Sequence, residues 1–209
     1  MRRAIVNPDQ PDAAVIDEAA RAIRAGGVIG LPTDTLYGLA ADPFRAQAVD
    51  RVFAAKGRAA ERALPLIAWD AQQVRDRLGP LAPYAAQLAD RFWPGPLTLL
   101  VAAPAGLAAA VSAGTGKVGV RVPAHEVARL LCRACGTPLT ATSANISGAA
   151  ASNDPADVAR TLGDRIDLLL DAGLTPGGPP STIVDVTGAA PVLVRAGAIA
   201  WDDIQKVRT

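Results

Sequence analysis

The sequence predicts an α/β domain (α+β-like) built on an open, twisted, mixed β-sheet flanked by helices. Short apolar runs, typical of buried strands, alternate with stretches of helical periodicity along the whole chain. Several predicted strands follow one another through short turns, which favours a mixed sheet over an all-parallel one. Hydrophobic residues make up 50% of the 209 residues, enough to form a sizeable core.

The predicted helices are stretches in which apolar residues recur every three or four positions. Glycines 26 and 27 end the first of them, and Asn153 or Asp154 is a suitable N-cap for a later one. The helices are predicted over residues 12–25, 46–55, 70–78, 83–92, 124–135, 154–162 and 199–206.

The predicted strands are short runs of Val, Leu and Ile bounded by Gly, Pro or polar residues. In residues 118–122 the alternation turns Arg121 away from the face that carries Val120 and Val122. Strands are predicted over residues 27–31, 64–68, 97–102, 118–122, 138–142, 168–171, 181–186 and 191–195. The chain shows no internal repeat, linker or domain boundary.

Charge and hydropathy exclude several classes of protein. The net charge is +1, with 21 basic and 20 acidic residues, so no global field marks a nucleic-acid-binding protein. The N-terminus lacks the apolar core of a signal peptide, and no apolar run is long enough for a membrane span. We therefore expect a cytoplasmic protein with no membrane partner.

The two cysteines, Cys132 and Cys135, form a CxxC pair. Such a pair can be a redox centre or half of a zinc site, but there is no second pair and His125 is the only histidine. The segment also reads as an amphipathic helix, which favours ordinary buried thiols. The sequence therefore indicates no protein-held metal.

Polar residues cluster where two predicted strands end. Residues 32–39, PTDTLYGL, place the hydroxyls of Thr33, Thr35 and Tyr37 and the carboxylate of Asp34 directly after a strand. Residues 140–148, TATSANISG, repeat the pattern. Strand ends of α/β proteins are where ligands bind, and short polar turns bind anions through their donors.

Four cations lie next to predicted element ends: Lys56, Arg58, Arg121 and Arg195. We expect Lys56 and Arg58, two apart in an extended segment, to converge on one anion. The chain contains no Walker A loop, GxGxxG, HExxH or GxSxG motif, so common kinase, dehydrogenase and hydrolase sites are disfavoured. The hypothesis that these residues favour is a site for a phosphorylated or carboxylated small molecule.

Taken together, these segments resemble the YrdC-like threonylcarbamoyl-AMP synthases. The resemblance covers roughly residues 12–200 and is carried by eight motifs that occur in the family's order. They are PTDTLYGL at 32–39, KGR at 56–58, PLI at 65–67, WPGPLT at 93–98, VRVP at 120–123, TSANISG at 142–148, STIVD at 181–185 and RAG at 195–197.

The resemblance implies a concave, positively charged groove and the formation of threonylcarbamoyl-AMP and pyrophosphate from L-threonine, bicarbonate and ATP with Mg²⁺. The product would serve a downstream transferase complex that makes N6-threonylcarbamoyladenosine at position 37 of tRNAs reading ANN codons, so tRNA is a further candidate partner. It also implies the short type of the family: one catalytic domain over residues 1–209, with no C-terminal second domain.

The resemblance also implies roles for individual residues. Thr33, Arg121 and Ser181 match the threonine contacts, and Asp34, Thr35 and Tyr37 would support that wall of the site. The matches to the ATP side are Lys56, Arg58, Lys117, Ala141, Ser143, Asn145 and Arg195, with Lys56 and Arg58 also matching the catalytic cations.

Two alternatives stay open at the level of sequence. The first is a paralogue of the same fold that binds double-stranded RNA or tRNA without synthase activity, which the near-neutral charge disfavours. The second is a carbamoyl-transfer domain of the hydrogenase-maturation type, which shares the fold. Such domains belong to longer chains with several CxxC pairs, and this sequence has one.

Overall fold

The computed structural model describes residues 1–57 and 62–207. Its strands are β1 (Arg2–Ile5), β2 (Ile29–Leu31), β3 (Gly38–Ala40), β4 (Leu66–Ile67), β5 (Leu97–Ala102), β6 (Lys117–Arg121), β7 (Leu139–Thr140), β8 (Thr142–Ser143), β9 (Leu168–Asp171), β10 (Thr182–Asp185) and β11 (Val192–Arg195). Its helices are α1 (Ala13–Arg24), α2 (Ala46–Lys56), α3 (Ala71–Leu78), α4 (Pro83–Phe92), α5 (Ala109–Ser112), α6 (Glu126–Cys135), α7 (Pro155–Leu162) and α8 (Trp201–Gln205), and one 3₁₀ turn spans Gly163–Arg165.

The strands form two mixed sheets. One has the order β1-β9-β2-β3-β8 and the other β11-β10-β5-β6-β4-β7. In the first, β9 pairs in parallel with β1 and β2, whereas β3 pairs antiparallel with β2 and β8. In the second, parallel pairs (β10 with β5, β4 with β6) alternate with antiparallel ones. The predicted mixed α/β architecture is confirmed, with the strands divided between two sheets.

The segment predicted as one strand over 138–142 is two short strands that belong to different sheets. Leu139–Thr140 pairs with β4, whereas Thr142–Ser143 pairs with β3. Between them the Ala141 amide donates to the Pro65 carbonyl at 2.8 Å. The backbone thus passes from one sheet to the other within five residues, and Ala141 is the residue between the two strands.

The helices cover the sheets with the faces that the periodicity predicted. Helices α1 and α6 pack together on β2 and β9, α2 and α7 pack near β3 and β6, and α4 and α8 pack on β5 and β10. Asp154 caps α7, since its carboxylate accepts from the Ala156 amide at 2.8 Å. Among the described residues, no helix is long and apolar enough to span a bilayer.

Two strands escaped prediction because they lack a distinctive apolar pattern. The strand β1 is half charged, and β3 is the end of the PTDTLYGL motif. Because β3 pairs antiparallel with β2, residues 32–37 of that motif form the loop of a β-hairpin. The hairpin fixes both ends of the loop and holds its polar residues at the ends of β2 and β3.

Candidate functional site

A cavity of about 460 Å³ lies where the β2–β3 loop meets the second sheet. Alternate residues of β5 and β6 form its floor, because side chains at i and i+2 share one face of a strand. The described residues that line it are Thr33, Thr35, Leu36, Tyr37, Gly38, Arg62, Ala63, Pro65, Leu66, Ile67, Thr98, Leu100, Gly119, Arg121, Ala141, Thr142, Ser143, Pro180, Ser181, Ile183 and Arg195. All three predicted threonine contacts are among them.

Arg121 ends β6 on the cavity face, as the alternation of that strand predicted, while Val120 packs in the core. Its side chain is only 11% exposed, and its Nη2 lies 3.2 Å from Oδ1 of Asp34, which is 12% exposed. The same Nη2 donates to Oγ1 of Thr33 at 3.4 Å. Burial lowers the pKa of Arg121, and the nearby Asp34 carboxylate opposes that shift.

One nitrogen of this buried guanidinium remains unused. Nη1 of Arg121 has no hydrogen-bond partner within the described part of the chain. A buried donor normally has a partner, because leaving it unpaired costs about 1–3 kcal/mol. An arginine fork that offers a free N–H in a cavity is suited to a ligand carboxylate or phosphate.

Ser181 and Arg195 form a second polar group across the cavity. Oγ of Ser181 and Oγ1 of Thr98 are 2.8 Å apart, and Arg195 donates through Nη2 to the carbonyl of Ser181 at 2.7 Å and to its Oγ at 3.1 Å. Burial lowers the pKa of Arg195, and the charge of Arg121 lowers it further. Because the two guanidinium groups repel each other, an anion bound between them is favoured.

Gly119 lies at the cavity floor, where neighbouring side chains pack closely against it. A Cβ atom at this position would lie 3.1 Å from Cγ2 of Thr98 and 3.2 Å from Cδ2 of Leu100. The residue sits in β6 with ordinary strand geometry, so its glycine is required by space and not by backbone conformation. Leu100, Gly119 and Ile183 bring no polar side-chain atom to this part of the floor, which suits a flat apolar ring.

Lys56 does not sit in the extended segment that the sequence predicted. It is the last residue of α2, followed by Gly57 in the left-handed conformation that ends the helix. Its ammonium is buried and donates to the carbonyls of Ser143 (2.6 Å) and Asn145 (3.1 Å) and to Oδ1 of Asn145 (3.0 Å). Lys56 therefore fixes the turn after β8. Arg58, with which Lys56 was expected to converge on one anion, lies outside the described residues.

The remaining predicted nucleotide contacts divide into two groups. Ala141 and Ser143 line the cavity, while Asn145 lies behind it as a partner of Lys56. Lys117 lies at the opposite end of β6 from Arg121, about 13 Å away at ~3.3 Å per residue. It forms an ion pair with Asp185 at 2.6 Å, so the structure separates it from the other predicted site residues.

The supporting residues of the hairpin loop are held by many hydrogen bonds. The carbonyl of Thr35 accepts from the Gly177 amide (2.8 Å) and from Oγ1 of Thr175 (2.9 Å). The buried hydroxyl of Tyr37 donates to the Gly173 carbonyl at 2.7 Å and accepts from the Ala172 amide at 3.1 Å. Burial raises the pKa of Tyr37 to about 12. These contacts attach the loop to residues 172–177.

Several lining residues were missed by the sequence argument. Thr98 lies on the same face of β5 as Leu100, and Gly119 lies on the same face of β6 as Arg121. Strand alternation could therefore have predicted that Thr98 and Gly119 line the cavity. Arg62 also lines the cavity and adds a third arginine. The sequence did not single out Arg62, because it is one of several charged residues in residues 56–62.

The cysteines lie away from this cavity and are free thiols. Cys132 is buried and donates to the carbonyl of Ile67 at 3.5 Å. Within residues 1–57 and 62–207, no group of three or more His, Cys, Asp or Glu side chains is placed to hold a metal ion. The position of both cysteines on the inner side of α6 matches the predicted amphipathic helix.

Comparisons with known proteins agree with this geometry. The family described as "Telomere recombination" (Sua5, YciO and YrdC) matches residues 21–197. A Pyrococcus abyssi protein named threonylcarbamoyl-AMP synthase is 38% identical over 189 residues, covering 90% of this chain and 56% of the relative. A Mycobacterium tuberculosis protein named putative threonylcarbamoyl-AMP synthase is 35% identical over 201 residues, covering 96% of this chain and 92% of the relative.

A solved structure shows the same arrangement of elements. P. abyssi Sua5, solved as a complex with L-threonine, matches with a TM-score of 0.93 and 36% identity. The match covers 99% of this chain and 61% of that one, and the chain likewise spans only about half (56%) of the curated P. abyssi and Bacillus subtilis relatives. The family match and these identities over most of the chain establish that it belongs to the Sua5/YciO/YrdC family.

Proposed function

We propose that the protein is an L-threonylcarbamoyladenylate synthase, which forms threonylcarbamoyl-AMP and pyrophosphate from L-threonine, bicarbonate and ATP. The observation that carries the proposal is the buried Arg121, which lines a cavity together with Arg195 and several hydroxyls and whose Nη1 has no hydrogen-bond partner among the described residues. The names of the relatives and the threonine complex of P. abyssi Sua5 support the same substrate.

Threonine is proposed to bind at the Arg121 end of the cavity. Its carboxylate would pair with Nη1 of Arg121, which supplies a charge-assisted hydrogen bond that the described residues leave unmade. Thr33 and Ser181 line the same cavity, and their hydroxyls would bind the polar groups of the amino acid. A zwitterion is thereby held by one fixed cation and short neutral donors.

ATP is proposed to bind at the Arg195 end. The apolar floor beside Gly119 would take the adenine, and Arg195 would approach the phosphates, with Arg62 and Arg58 as further cations. Ala141, Ser143 and Asn145 belong to the turn that Lys56 holds in place. The position of Lys117 gives its predicted ATP contact no support.

Mg²⁺ is proposed to enter as part of the substrate, bound to the phosphates of ATP. The described lining residues include three arginines and no carboxylate, so they suit the phosphates and not a resident metal. The ion would neutralise charge on the leaving pyrophosphate.

The reaction is proposed to proceed by positioning and charge stabilisation. The threonine nitrogen attacks the carbon of bicarbonate, water leaves, and a carbamate forms. A carbamate oxygen then attacks the α-phosphorus of ATP, and the bond to pyrophosphate breaks. Cations near the phosphates stabilise the charge that develops on pyrophosphate, and the fixed threonine lowers the entropic cost of the first step. No described lining residue is a carboxylate or imidazole, so we assign no protein base.

The product needs a second protein in this proposal. Threonylcarbamoyl-AMP is an activated acyl donor, so a downstream transferase complex would pass the group to an adenosine of tRNA in the cytoplasm. Direct contact with tRNA is a separate proposal. A gel-shift series with tRNA and rising salt tests it, because binding driven by phosphate contacts weakens steeply with salt.

The experiment that tests the synthase measures pyrophosphate release with purified protein, labelled threonine, bicarbonate and Mg-ATP. Release is expected only with all components present, together with an equal amount of labelled adenylate. Arg121→Met should abolish both, while Arg160→Met, at an exposed surface ion pair, should leave them unchanged. Pyrophosphate release that does not require threonine would overturn the proposal.

A further inference from the structure

Thr98 carries a buried hydroxyl in a strand that is otherwise apolar. It is the second residue of β5, whose sequence is LTLLVA, and it is 3% exposed. Among the residues that the structure describes, its hydroxyl has one hydrogen-bond partner, Oγ of Ser181, at 2.8 Å. A buried hydroxyl costs stability unless it is paired, and a valine would fill the same space without that cost. The hydroxyl at this position therefore calls for an explanation beyond packing.

The packing of Thr98 fixes the direction of its hydroxyl. The strand β5 lies between β6 on one side and β10 on the other. The Thr98 methyl lies on the β6 side, since a Cβ atom at Gly119 would be 3.1 Å from it. On the other side Thr98 pairs with Ile183 of β10, and Ser181 directly precedes that strand. Because a β-branched side chain has few rotamers, a methyl toward β6 leaves the hydroxyl toward Ser181.

Ser181 receives a second hydrogen bond from Arg195. Nη2 of Arg195 lies 3.1 Å from Oγ of Ser181 and 2.7 Å from its carbonyl oxygen. A guanidinium group only donates, so Oγ of Ser181 accepts from Arg195 and uses one of its two lone pairs. One lone pair and one proton of this hydroxyl remain for Thr98 and for a ligand.

The direction of the Thr98–Ser181 hydrogen bond decides what Ser181 offers to a ligand. If Ser181 donates to Thr98, a lone pair of Ser181 remains, which suits a ligand N–H or O–H. If Thr98 donates to Ser181, both lone pairs are occupied and the Ser181 proton remains, which suits a ligand oxygen. Apart from Thr98, no described residue accepts that proton, and Ser181 lines the substrate cavity.

The charges of the cavity favour the arrangement in which Thr98 donates. Arg121 and Arg195 both line the cavity. Asp34 offsets part of the charge of Arg121, whereas Arg195 has no ion-pair partner in the part of the chain that the structure describes. Burial lowers the pKa of Arg195, and the charge of Arg121 lowers it further. A negatively charged ligand oxygen is therefore favoured here, and such an oxygen needs a donor from Ser181.

We propose that Thr98 is a positioning residue for the substrate site: it donates its proton to Oγ of Ser181 and so leaves the Ser181 proton for the carboxylate of the bound amino acid. Thr98 acts through Ser181 and does not itself bind the ligand. The identity of the ligand rests on the proposed function, but the Thr98–Ser181 hydrogen bond does not.

Calorimetry with L-threonine tests this role in variants of the full chain. Thr98→Val keeps the shape of the side chain and removes the donor that orients and polarises Ser181, so threonine binding should weaken about fivefold. Ser181→Ala removes the ligand contact itself and should weaken binding about tenfold or more. Thr98→Ser keeps the donor and should stay within about twofold of the wild type.

Thr161→Val is the matched control for the loss of a threonine hydroxyl. The Thr161 hydroxyl donates to the Asp157 carbonyl of its own helix at 2.8 Å, and the residue does not line the substrate cavity. This variant should bind threonine as the wild type does. Circular dichroism establishes that each variant is folded before its binding is measured.

A double variant separates the hydrogen bond from packing. If Thr98 acts through Ser181, adding Thr98→Val to Ser181→Ala should cause no further loss of threonine binding, whereas a packing effect of Thr98 would persist. Urea unfolding of the ligand-free proteins tests the hydrogen bond itself. The losses in the free energy of unfolding for Thr98→Val and Ser181→Ala should not add in the double variant, because each substitution breaks the same bond.

Distinct results overturn the inference and the proposed function. Threonine binding by Thr98→Val equal to that of the wild type, or an equal loss with and without the Ser181 hydroxyl, would overturn the inference. If Thr98→Val does not fold, Thr98→Ser and Thr98→Ala differ only in the hydroxyl and give the same comparison. Absence of threonine binding to the wild type would instead count against the proposed function, and the unfolding measurements would still decide the Thr98–Ser181 hydrogen bond.

Discussion

The ammonium of Lys56 donates a 2.6 Å hydrogen bond to the carbonyl of Ser143, and so joins the end of α2 to the turn that follows β8. The same ammonium binds the carbonyl and side chain of Asn145. A cation that the family resemblance assigned to ATP binding and catalysis thus also holds part of the cavity wall. Its removal should affect folding as well as turnover.

We therefore expect Lys56→Met to abolish synthase activity and to lower the free energy of unfolding by about 2–3 kcal/mol, the scale for hydrogen bonds to a charged donor. Urea unfolding and the pyrophosphate assay measure the two effects. Lys206→Met is the control, because that lysine forms an exposed pair with Asp203. A Lys56→Met protein as stable as the wild type would contradict the anchoring role.

Arg121 and Asp34 should be coupled in stability. Arg121→Met leaves the Asp34 carboxylate largely buried without its ion-pair partner, so the free energy of unfolding should fall by about 3 kcal/mol. Adding Asp34→Asn removes the stranded charge and should restore part of that loss, but not threonine binding. Urea unfolding of the two single variants and the double variant measures the coupling, and additive losses would argue against it.

The closely packed floor at Gly119 should control nucleotide binding. Gly119→Ala adds a methyl group between Thr98 and Leu100 in a strand of ordinary geometry. We expect a folded protein with a KM for ATP raised about tenfold or more and little change in the KM for threonine. Gly163→Ala, whose Cβ would meet only the end of Met1 at 3.9 Å, is the control. An unchanged KM for ATP would contradict the proposal that adenine binds at this floor.

Tyr37 should make stability depend on alkaline pH. Because its pKa is raised from 10.0 to about 12, its stabilising contribution is complete below pH 10 and is lost as the pH rises to 12. The difference corresponds to roughly 3 kcal/mol. Tyr37→Phe should be less stable at pH 8, since it loses the bonds to Ala172 and Gly173, and should show less decline from pH 10 to 12. The same decline in the free energy of unfolding between pH 10 and 12 in both proteins would contradict this prediction.

The CxxC pair should be inert in the folded protein. Burial raises the pKa of Cys132 well above its ordinary value and that of Cys135 to about 12, so little thiolate exists at neutral pH. We expect both thiols to react with a maleimide only after denaturation, and Cys132→Ser/Cys135→Ala to retain synthase activity. Rapid labelling of the native protein, or loss of activity on mild oxidation, would favour the redox alternative.

The sequence by itself determined most helices, the long strands and the two polar turns, because these follow from local periodicity and from residues that favour particular turns. It also placed Arg121 on the face of β6 opposite Val120, since strand alternation is a local rule. The eight motifs led to the family, and to a residue list in which Thr33, Ser181, Arg195, Ala141 and Ser143 share one cavity.

Only the tertiary structure decided which of these residues meet. The split of residues 138–142 between two sheets depends on pairing with β4 and β3, which lie far away in the sequence. The burial of Lys56, the separation of Lys117 and the ion pair of Asp34 with Arg121 are likewise set by long-range contacts. Local sequence fixes the direction of a side chain within its own element, but its partners depend on how distant elements pack.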